Sequence, residues 1–91
     1  MQTLKIIVRG KVQGVTYRET TRRKASMLGL TGTVENLDNG DVRIIVTGEQ
    51  DILEGFISWC HRGPQLASVS AVESTELPLQ QFPGFSIKRG G

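Results

Sequence analysis

Residues 10–18 contain the groups best suited to chemistry, in the order Gly-Lys-Val-Gln-Gly-Val-Thr-Tyr-Arg. An alternating strand pattern here gives way to a glycine turn and then to a helical pattern. Such a turn points several backbone N–H groups in one direction, and the helix dipole adds partial positive charge at the same place. We therefore predict an anion site whose binding residues are Gln13, Gly14, Val15, Thr16, Tyr17 and Arg18.

Arg18 is the most informative side chain of this segment. A cation in the first turn of a helix opposes the helix dipole, and Arg22 one turn later adds like-charge repulsion, each costing a few tenths of a kcal/mol. A bound anion removes this conflict, because a guanidinium can bind a phosphate with two parallel hydrogen bonds. The alternative is a surface arginine that pairs with a nearby acid, and the glycine turn favours the anion site.

The elements that must position this segment follow from periodicity. Alternation over residues 3–12 predicts a first strand, and apolar residues at helical spacing over residues 17–28 predict a helix that ends at Gly29. Strands over residues 31–37 and 42–47 flank an Asn39-Gly40 pair, which predicts a hairpin with a type I′ turn. A second helix begins near residues 48–51 and ends at Gly63-Pro64. Alternation then predicts a fourth strand over 67–72 and a short edge strand over 85–89.

The order β-α-β-β-α-β predicts an α+β fold of two layers, with both helices on one face of a mainly antiparallel sheet. A right-handed crossover makes the first two strands parallel, with the third strand between them. Their ends then lie on the same sheet edge, roughly 10 Å apart for strands spaced by about 4.8 Å. Residues 13–18 and Asn36 should therefore face each other across a gap that can hold a phosphate and a water.

The composition limits the class of protein. With 91 residues, we expect one domain over residues 1–91, and the net charge of +2 from scattered charges suits a small anion better than nucleic acid. No apolar run is long enough for a bilayer and no secretory signal precedes the first strand, so we expect a cytoplasmic monomer with no membrane partner. Cys60 and His61 are the only cysteine and histidine. Two such residues cannot make an all-Cys/His zinc site, and we expect no metal and no cofactor.

Three further polar residues have structural alternatives. An asparagine before a turn most often bonds nearby backbone, but the position of Asn36 at the predicted edge makes it a candidate to hold a water without repelling a phosphate. Cys60 is interpreted as a buried core residue rather than a nucleophile. His61 follows the apolar stripe of the second helix, and we interpret it as a favourable charge at the helix C-terminus, far from the anion site.

Residues 10–18 closely resemble the signature of the acylphosphatase family, G-(R/K)-V-Q-G-V-x-(F/Y)-R. Residues 29–42, with Asn36 ahead of Asn39-Gly40, resemble its second block, and residues around 63–72 and 85–87 resemble a third, looser region. The resemblance implies a ferredoxin-like fold and metal-free hydrolysis of acyl phosphates to a carboxylate and inorganic phosphate. It also implies that Arg18 binds the phosphoryl group and that Asn36 orients the attacking water.

The chain departs from the commonest family pattern at two positions. Thr16 stands where many members have glycine, and Thr33 stands where an aromatic residue is frequent. Neither change removes a group to which the resemblance gives a catalytic role. The departures therefore concern the catalytic rate and the substrate preference.

Two other functional classes remain open from the sequence. A regulatory domain could bind a phosphorylated metabolite without turnover, although such a binder has little use for Asn36. An RNA-binding module could use the same two-layer fold, but it stacks bases on aromatic residues of the first and third strands. Those strands contain no aromatic residue here.

Overall fold

The computed structural model describes residues 1–89. Its elements follow one another as β1 (Gln2–Lys11), α1 (Tyr17–Met27), β2 (Thr31–Asn36), β3 (Val42–Gly48), α2 (Gln50–Arg62), β4 (Ser68–Leu77) and β5 (Phe85–Ile87). The five strands form one sheet in the order β4-β1-β3-β2-β5. The predicted βαββαβ order and the ferredoxin-like two-layer architecture are confirmed.

The sheet topology places β1 and β2 on either side of β3. Both strands pair with β3 in antiparallel fashion, with Ile6 opposite Ile44 from one side and Val34 opposite Ile44 from the other. β1 and β2 therefore run in the same direction, as the right-handed crossover predicted. β5 runs parallel to β2 at the sheet edge. The C-terminal ends of β1, β2 and β5 consequently lie together at one end of the sheet.

The core lies between the sheet and the two helices. The inward faces of β1 and β3 bury every second residue, and α1 buries Tyr17, Thr21 and Ala25 on the predicted stripe. The apolar spacing of the second helix predicts a stripe of Ile52, Leu53, Phe56, Trp59 and Cys60; Leu53, Phe56 and Cys60 are buried, while Ile52 and Trp59 are partly buried. Burial of this apolar surface supplies the main favourable term in folding. Neither helix, with 11 and 13 residues, is long and apolar enough to cross a membrane.

The fourth strand is longer than the sequence predicted. Alternation predicted residues 67–72, whereas β4 pairs with β1 from Lys11 opposite Ser68 to Thr3 opposite Leu77. The part after Val72 is polar because β4 is an edge strand, much of it exposed. This part of β4 buries few side chains, so it shows no apolar alternation in the sequence, although its backbone pairs with β1 along its whole length.

The turn between β2 and β3 differs from the predicted type I′ turn. That turn needs positive φ at both central residues, but only Gly40, with φ of 97°, has it, while Asn39 does not. The Gly40 N–H donates to the Leu37 carbonyl at 3.2 Å, and the Leu37 N–H donates to the Asp41 carbonyl at 2.8 Å. The Asn39 side-chain oxygen accepts from the Asp41 N–H at 3.0 Å. The hairpin is confirmed, but its turn closes with one left-handed glycine and a side-chain bond.

Candidate active site

A pocket opens at the end of the sheet where β1, β2 and β5 terminate and α1 begins. Its volume is about 160 Å³, which is well below the roughly 300–1,000 Å³ of sites for drug-sized ligands. Both Arg18 and Asn36 line it, so the structure brings the two predicted catalytic candidates together. The full lining is Val12, Gly14, Thr16, Tyr17, Arg18, Glu19, Asn36, Ile87 and Arg89.

A bulge at the end of β1 directs the chain into this pocket. The pairing of β1 with β4 shifts register between Arg9 and Gly10. Gly10 has a φ of 124°, and a Cβ atom there would lie 2.2 Å from the Ser68 carbonyl oxygen. Only glycine allows this approach of the two strands, and a bulge of this kind bends its strand and re-aims the residues that follow.

The loop after the bulge leaves a row of backbone N–H groups without protein acceptors. Thr16 precedes α1 with φ of 61° and ψ of 20° and makes no side-chain capping bond. The Thr20 N–H donates to the Thr16 carbonyl at 3.0 Å, which is the first hydrogen bond of the helix. Within residues 1–89, no hydrogen bond is donated by the backbone N–H groups of residues 13–19. Unpaired donors at a helix N-terminus attract an anion.

Arg18 adds a guanidinium to these donors. It is partly exposed, and it takes part in none of the ion pairs within residues 1–89. Its neighbour Glu19 is paired instead with Arg22 and Arg23. Hydrogen bonding from Arg22 holds the pKa of Glu19 below its ordinary value. The repulsion predicted between Arg18 and Arg22 is thereby offset by a carboxylate, while the Arg18 guanidinium remains available to an anion.

Asn36 is the last residue of β2 and contributes an amide to the same pocket. Its side-chain oxygen Oδ1 is buried and accepts no hydrogen bond from residues 1–89. Leaving a buried acceptor unpaired costs about 1–3 kcal/mol, so folded proteins rarely retain one without a use. This oxygen can accept a hydrogen bond from a small donor molecule in the pocket.

The Gln13 side chain joins the two halves of the site. Its amide nitrogen Nε2 donates to the carbonyl oxygens of Leu37 and Asp41, both at 2.8 Å. These acceptors belong to the hairpin that begins immediately after Asn36. Gln13 does not line the pocket, and neither does Val15, whose side chain is buried. Gln13 and Val15 were both predicted to bind the anion. They can do so only through their backbone N–H groups, and that role stays a prediction.

Tyr17 and Cys60 are structural rather than reactive. The Tyr17 ring is buried, and its hydroxyl donates to the Cys60 carbonyl at 2.8 Å. Burial raises the pKa of the Tyr17 hydroxyl above its ordinary value and raises the pKa of the Cys60 thiol to about 12. Both groups are therefore protonated at neutral pH, when only a thiolate would be a strong nucleophile. Tyr17 contributes to the pocket while it anchors α1 to α2.

His61 lies in the last turn of α2, where it is exposed and does not line the pocket. This placement agrees with its interpretation as a residue at the helix C-terminus. Within residues 1–89, no group of three or more His, Cys, Asp or Glu side chains is arranged to hold a metal ion.

Sequence reasoning missed four residues of the pocket lining: Val12, Glu19, Ile87 and Arg89. Ile87 and Arg89 reach the pocket because β5 runs parallel to β2, which brings the end of β5 to the same edge as Asn36. The orientation of a three-residue strand cannot be read from its alternation. The available signal was the connection between the last two strands. It runs from β4 at one edge of the sheet to β5 at the other edge.

The comparisons with known proteins decide the family. A family model for acylphosphatase matches residues 4–87. The chain belongs to the acylphosphatase family. It is 51% identical over 74 residues to an acylphosphatase of Bordetella avium, covering 81% of this chain and 79% of the relative. It is 40% identical over 90 residues to an acylphosphatase of Methylococcus capsulatus, covering 98% of both chains.

A solved acylphosphatase structure agrees with the fold described above. The acylphosphatase of Coxiella burnetii superimposes with a TM-score of 0.93 at 39% identity, over 96% of this chain and 92% of that one. The resemblance predicted from residues 10–18 is thus confirmed at the level of family, fold and enzyme class. The chain is a hydrolase that acts on acyl phosphates, and inorganic phosphate is the product of that reaction.

Proposed function

We propose that the pocket binds the phosphoryl group of an acyl phosphate through Arg18 and the backbone N–H groups of residues 13–18. The observation that carries this assignment is the concentration of unpaired polar groups in one small pocket: a guanidinium without a carboxylate partner in residues 1–89, and a buried amide oxygen without a donor. Anionic phosphoryl oxygens satisfy the first, and a water molecule satisfies the second.

In the proposed reaction, the oxygen of a water attacks the phosphorus atom, and the bond between phosphorus and the acyl oxygen breaks. The carboxylate departs with the bonding electron pair, and the water proton passes to a phosphoryl oxygen, giving inorganic phosphate. A carboxylic acid has a pKa of about 4, so the leaving group needs no general acid at neutral pH. The pocket lining has no histidine or cysteine, and its single carboxylate, Glu19, is paired with Arg22 and Arg23, which is consistent with this chemistry.

Charge stabilisation and positioning then provide the catalysis. Phosphoryl transfer passes through a loose transition state with charge spread over the equatorial oxygens. Arg18 and the row of N–H groups stabilise that charge, and by analogy with oxyanion holes one such donor contributes about 3 kcal/mol. Asn36 Oδ1 accepts a hydrogen bond from the attacking water and fixes its direction.

The two alternative classes have weaker support. A phosphate-binding domain without turnover leaves the buried Asn36 oxygen unused. An RNA-binding module needs aromatic residues on β1 and β3, and these strands have none.

The proposal is tested by assaying benzoyl phosphate hydrolysis beside the binding of inorganic phosphate. The purified protein should release benzoate and phosphate without added metal. Arg18→Ala should abolish hydrolysis and weaken phosphate binding, because it removes the guanidinium that contacts the anion. Asn36→Ala should abolish hydrolysis but leave phosphate binding nearly intact, because phosphate does not need the positioned water.

Two results would contradict the assignment. Turnover by Asn36→Ala at the wild-type rate would remove the water-positioning role, and unchanged phosphate affinity in Arg18→Ala would remove the anion site. Lys24→Ala is the matched control for loss of a cation from α1, because Lys24 does not line the pocket. Its turnover should be that of the wild type. The cytoplasmic location and the monomeric state stay predictions, and gel filtration tests the second.

A further inference from the structure

One member of the pocket lining has the wrong charge for an anion site. Glu19 follows Arg18 in the first turn of α1, and both side chains line the pocket. A carboxylate there repels a phosphoryl group and can also compete for the Arg18 guanidinium. An acid in the first turn does favour the helix dipole, but that benefit is only a few tenths of a kcal/mol and is available at other positions of the turn.

Two arginines one turn further along bind this carboxylate. Arg22 binds both oxygens of the Glu19 carboxylate: its Nη2 donates to Oε1, and its Nε donates to Oε2 at 3.4 Å. Arg23 approaches from the next position, with its Nε 3.4 Å from Oε1. Acid-before-base pairs at these spacings have the favourable orientation on a helix. The carboxylate is thus turned along the helix toward two cations.

Stability alone does not explain this arrangement. The side chains of Glu19 and Arg22 are 40% and 37% exposed, and that of Arg23 is 72% exposed. Exposed ion pairs typically contribute little to the free energy of unfolding. The two arginines do change the net charge beside the pocket. Glu19 alone carries −1, whereas the group of Glu19, Arg22 and Arg23 carries +1.

We propose that Arg22 and Arg23 are positioning residues that restrain and neutralise the Glu19 carboxylate, so that Arg18 stays available to the phosphoryl group. The inference rests on the proposed function, since it requires that the pocket binds that group. Arg22 and Arg23 act through Glu19 and need no contact with the substrate. Their loss should therefore be harmful only while Glu19 is charged.

The experiment measures KM for benzoyl phosphate, kcat and the affinity for inorganic phosphate at low ionic strength. Arg22→Gln with Arg23→Gln should raise KM and weaken phosphate binding about fivefold, with kcat changed by less than about twofold. Adding Glu19→Gln to this pair should restore both constants to within about twofold of the wild type. At about 1 M salt, where charges are screened beyond about 3 Å, the fivefold effect should largely disappear.

Matched variants separate this local effect from a change in total charge. Lys24→Gln with Arg62→Gln removes the same charge outside the pocket. Glu54→Gln, at an exposed position of α2, removes one acid, as Glu19→Gln does. We expect the first pair to leave KM near the wild-type value, and Glu54→Gln not to rescue the arginine pair. Equal KM values for the two pairs, or equal rescue by Glu19→Gln and Glu54→Gln, would overturn the proposal.

The same assay distinguishes failure of this inference from failure of the proposed function. If Arg18→Ala keeps its phosphate affinity, the anion site itself is wrong and the inference fails with it. If Arg18→Ala loses that affinity but Glu19→Gln does not rescue the arginine pair, only the role of Arg22 and Arg23 is wrong. Circular dichroism on each variant checks that α1 is intact.

Discussion

The two ends of the sheet differ in whether their polar groups have hydrogen-bond partners. At the end away from the pocket, the Thr3 and Thr47 hydroxyls lie 2.6 Å apart. The Thr47 hydroxyl donates to the Gln80 carbonyl at 2.8 Å, and the Gln80 N–H donates to Thr3 Oγ1 at 2.9 Å. These bonds fasten the connection between β4 and β5 over the sheet, and every group in them has a partner.

At the pocket end, three sets of polar groups have no partner in residues 1–89. Arg18 makes no ion pair, the Asn36 oxygen accepts no hydrogen bond, and the N–H groups of residues 13–19 donate none. An interior network is stabilising only when its members are satisfied, so a pocket with several unsatisfied groups is adapted to a ligand. Unpaired polar groups are thus concentrated at the pocket end, although the buried Thr21 hydroxyl of α1, outside the pocket, also has no partner in residues 1–89.

The largest effects should come from removing the unpaired groups. Arg18→Ala and Asn36→Ala should each lower kcat/KM for benzoyl phosphate by about 10³-fold or more, which corresponds to about 4 kcal/mol. The free energy of unfolding should stay constant or rise, because neither side chain has a hydrogen-bond or ion-pair partner in residues 1–89 to lose. Urea denaturation measures it. A loss of more than about 1 kcal/mol in both variants would show that the site supports the fold.

The satisfied end should show the reverse behaviour. Thr47→Val keeps the shape of the side chain but leaves the Gln80 carbonyl and the Thr3 hydroxyl without this partner. We expect a loss of about 1–3 kcal/mol in unfolding free energy, with kcat/KM unchanged. Thr33→Val on the partly exposed face of β2 is the control, with a change of less than about 0.5 kcal/mol. Reduced turnover in Thr47→Val with intact folding would mean that the two ends are coupled.

Gln13 tests whether the distance between the two halves of the site matters. Gln13→Leu removes the bonds to Leu37 and Asp41, and we expect kcat to fall about tenfold while the stability falls by about 1–2 kcal/mol. Asn39→Ala disturbs the same hairpin without touching the link to residues 13–18. If Asn39→Ala lowers kcat as much as Gln13→Leu does, the hairpin itself and not its link to the loop sets the geometry.

Much of the fold could be predicted because its signals are local. Leu4, Ile6 and Val8 alternate, Tyr17, Thr21 and Ala25 repeat at helical spacing, and the handedness of one crossover then brings Asn36 to the edge beside Arg18. The extension of β4 could not be predicted, because an edge strand needs no apolar residues on its outer part. The turn at Gly40 also could not be predicted in detail, because Asn39 can close it through its side chain as well as through its backbone.

The candidate site was predicted at its centre and missed at its periphery. Arg18 and Asn36 were identifiable because each sits where a strand or helix begins or ends. The Gln13 link spans 24 and 28 residues of sequence, and its acceptors are carbonyls, which any residue type supplies. Arg89 reaches the pocket only because β5 is parallel to β2. Side-chain contacts of this kind depend on the three-dimensional path of the loops.

The smallest expected effect concerns Thr16, the single residue other than glycine with positive φ in residues 1–89. A β-branched residue in the left-handed region costs about 1–2 kcal/mol, partly offset here because the Thr16 hydroxyl donates to the Val15 carbonyl at 2.6 Å. Thr16→Gly removes the strain but gives the unfolded chain more freedom, so we expect a change in unfolding free energy within about 1 kcal/mol. Thr16→Val keeps the strain without the hydroxyl and should cost about 1 kcal/mol. Equal stability of the two variants in urea would show that this turn stores no strain, and the loop would then be as relaxed as the opposite end of the sheet.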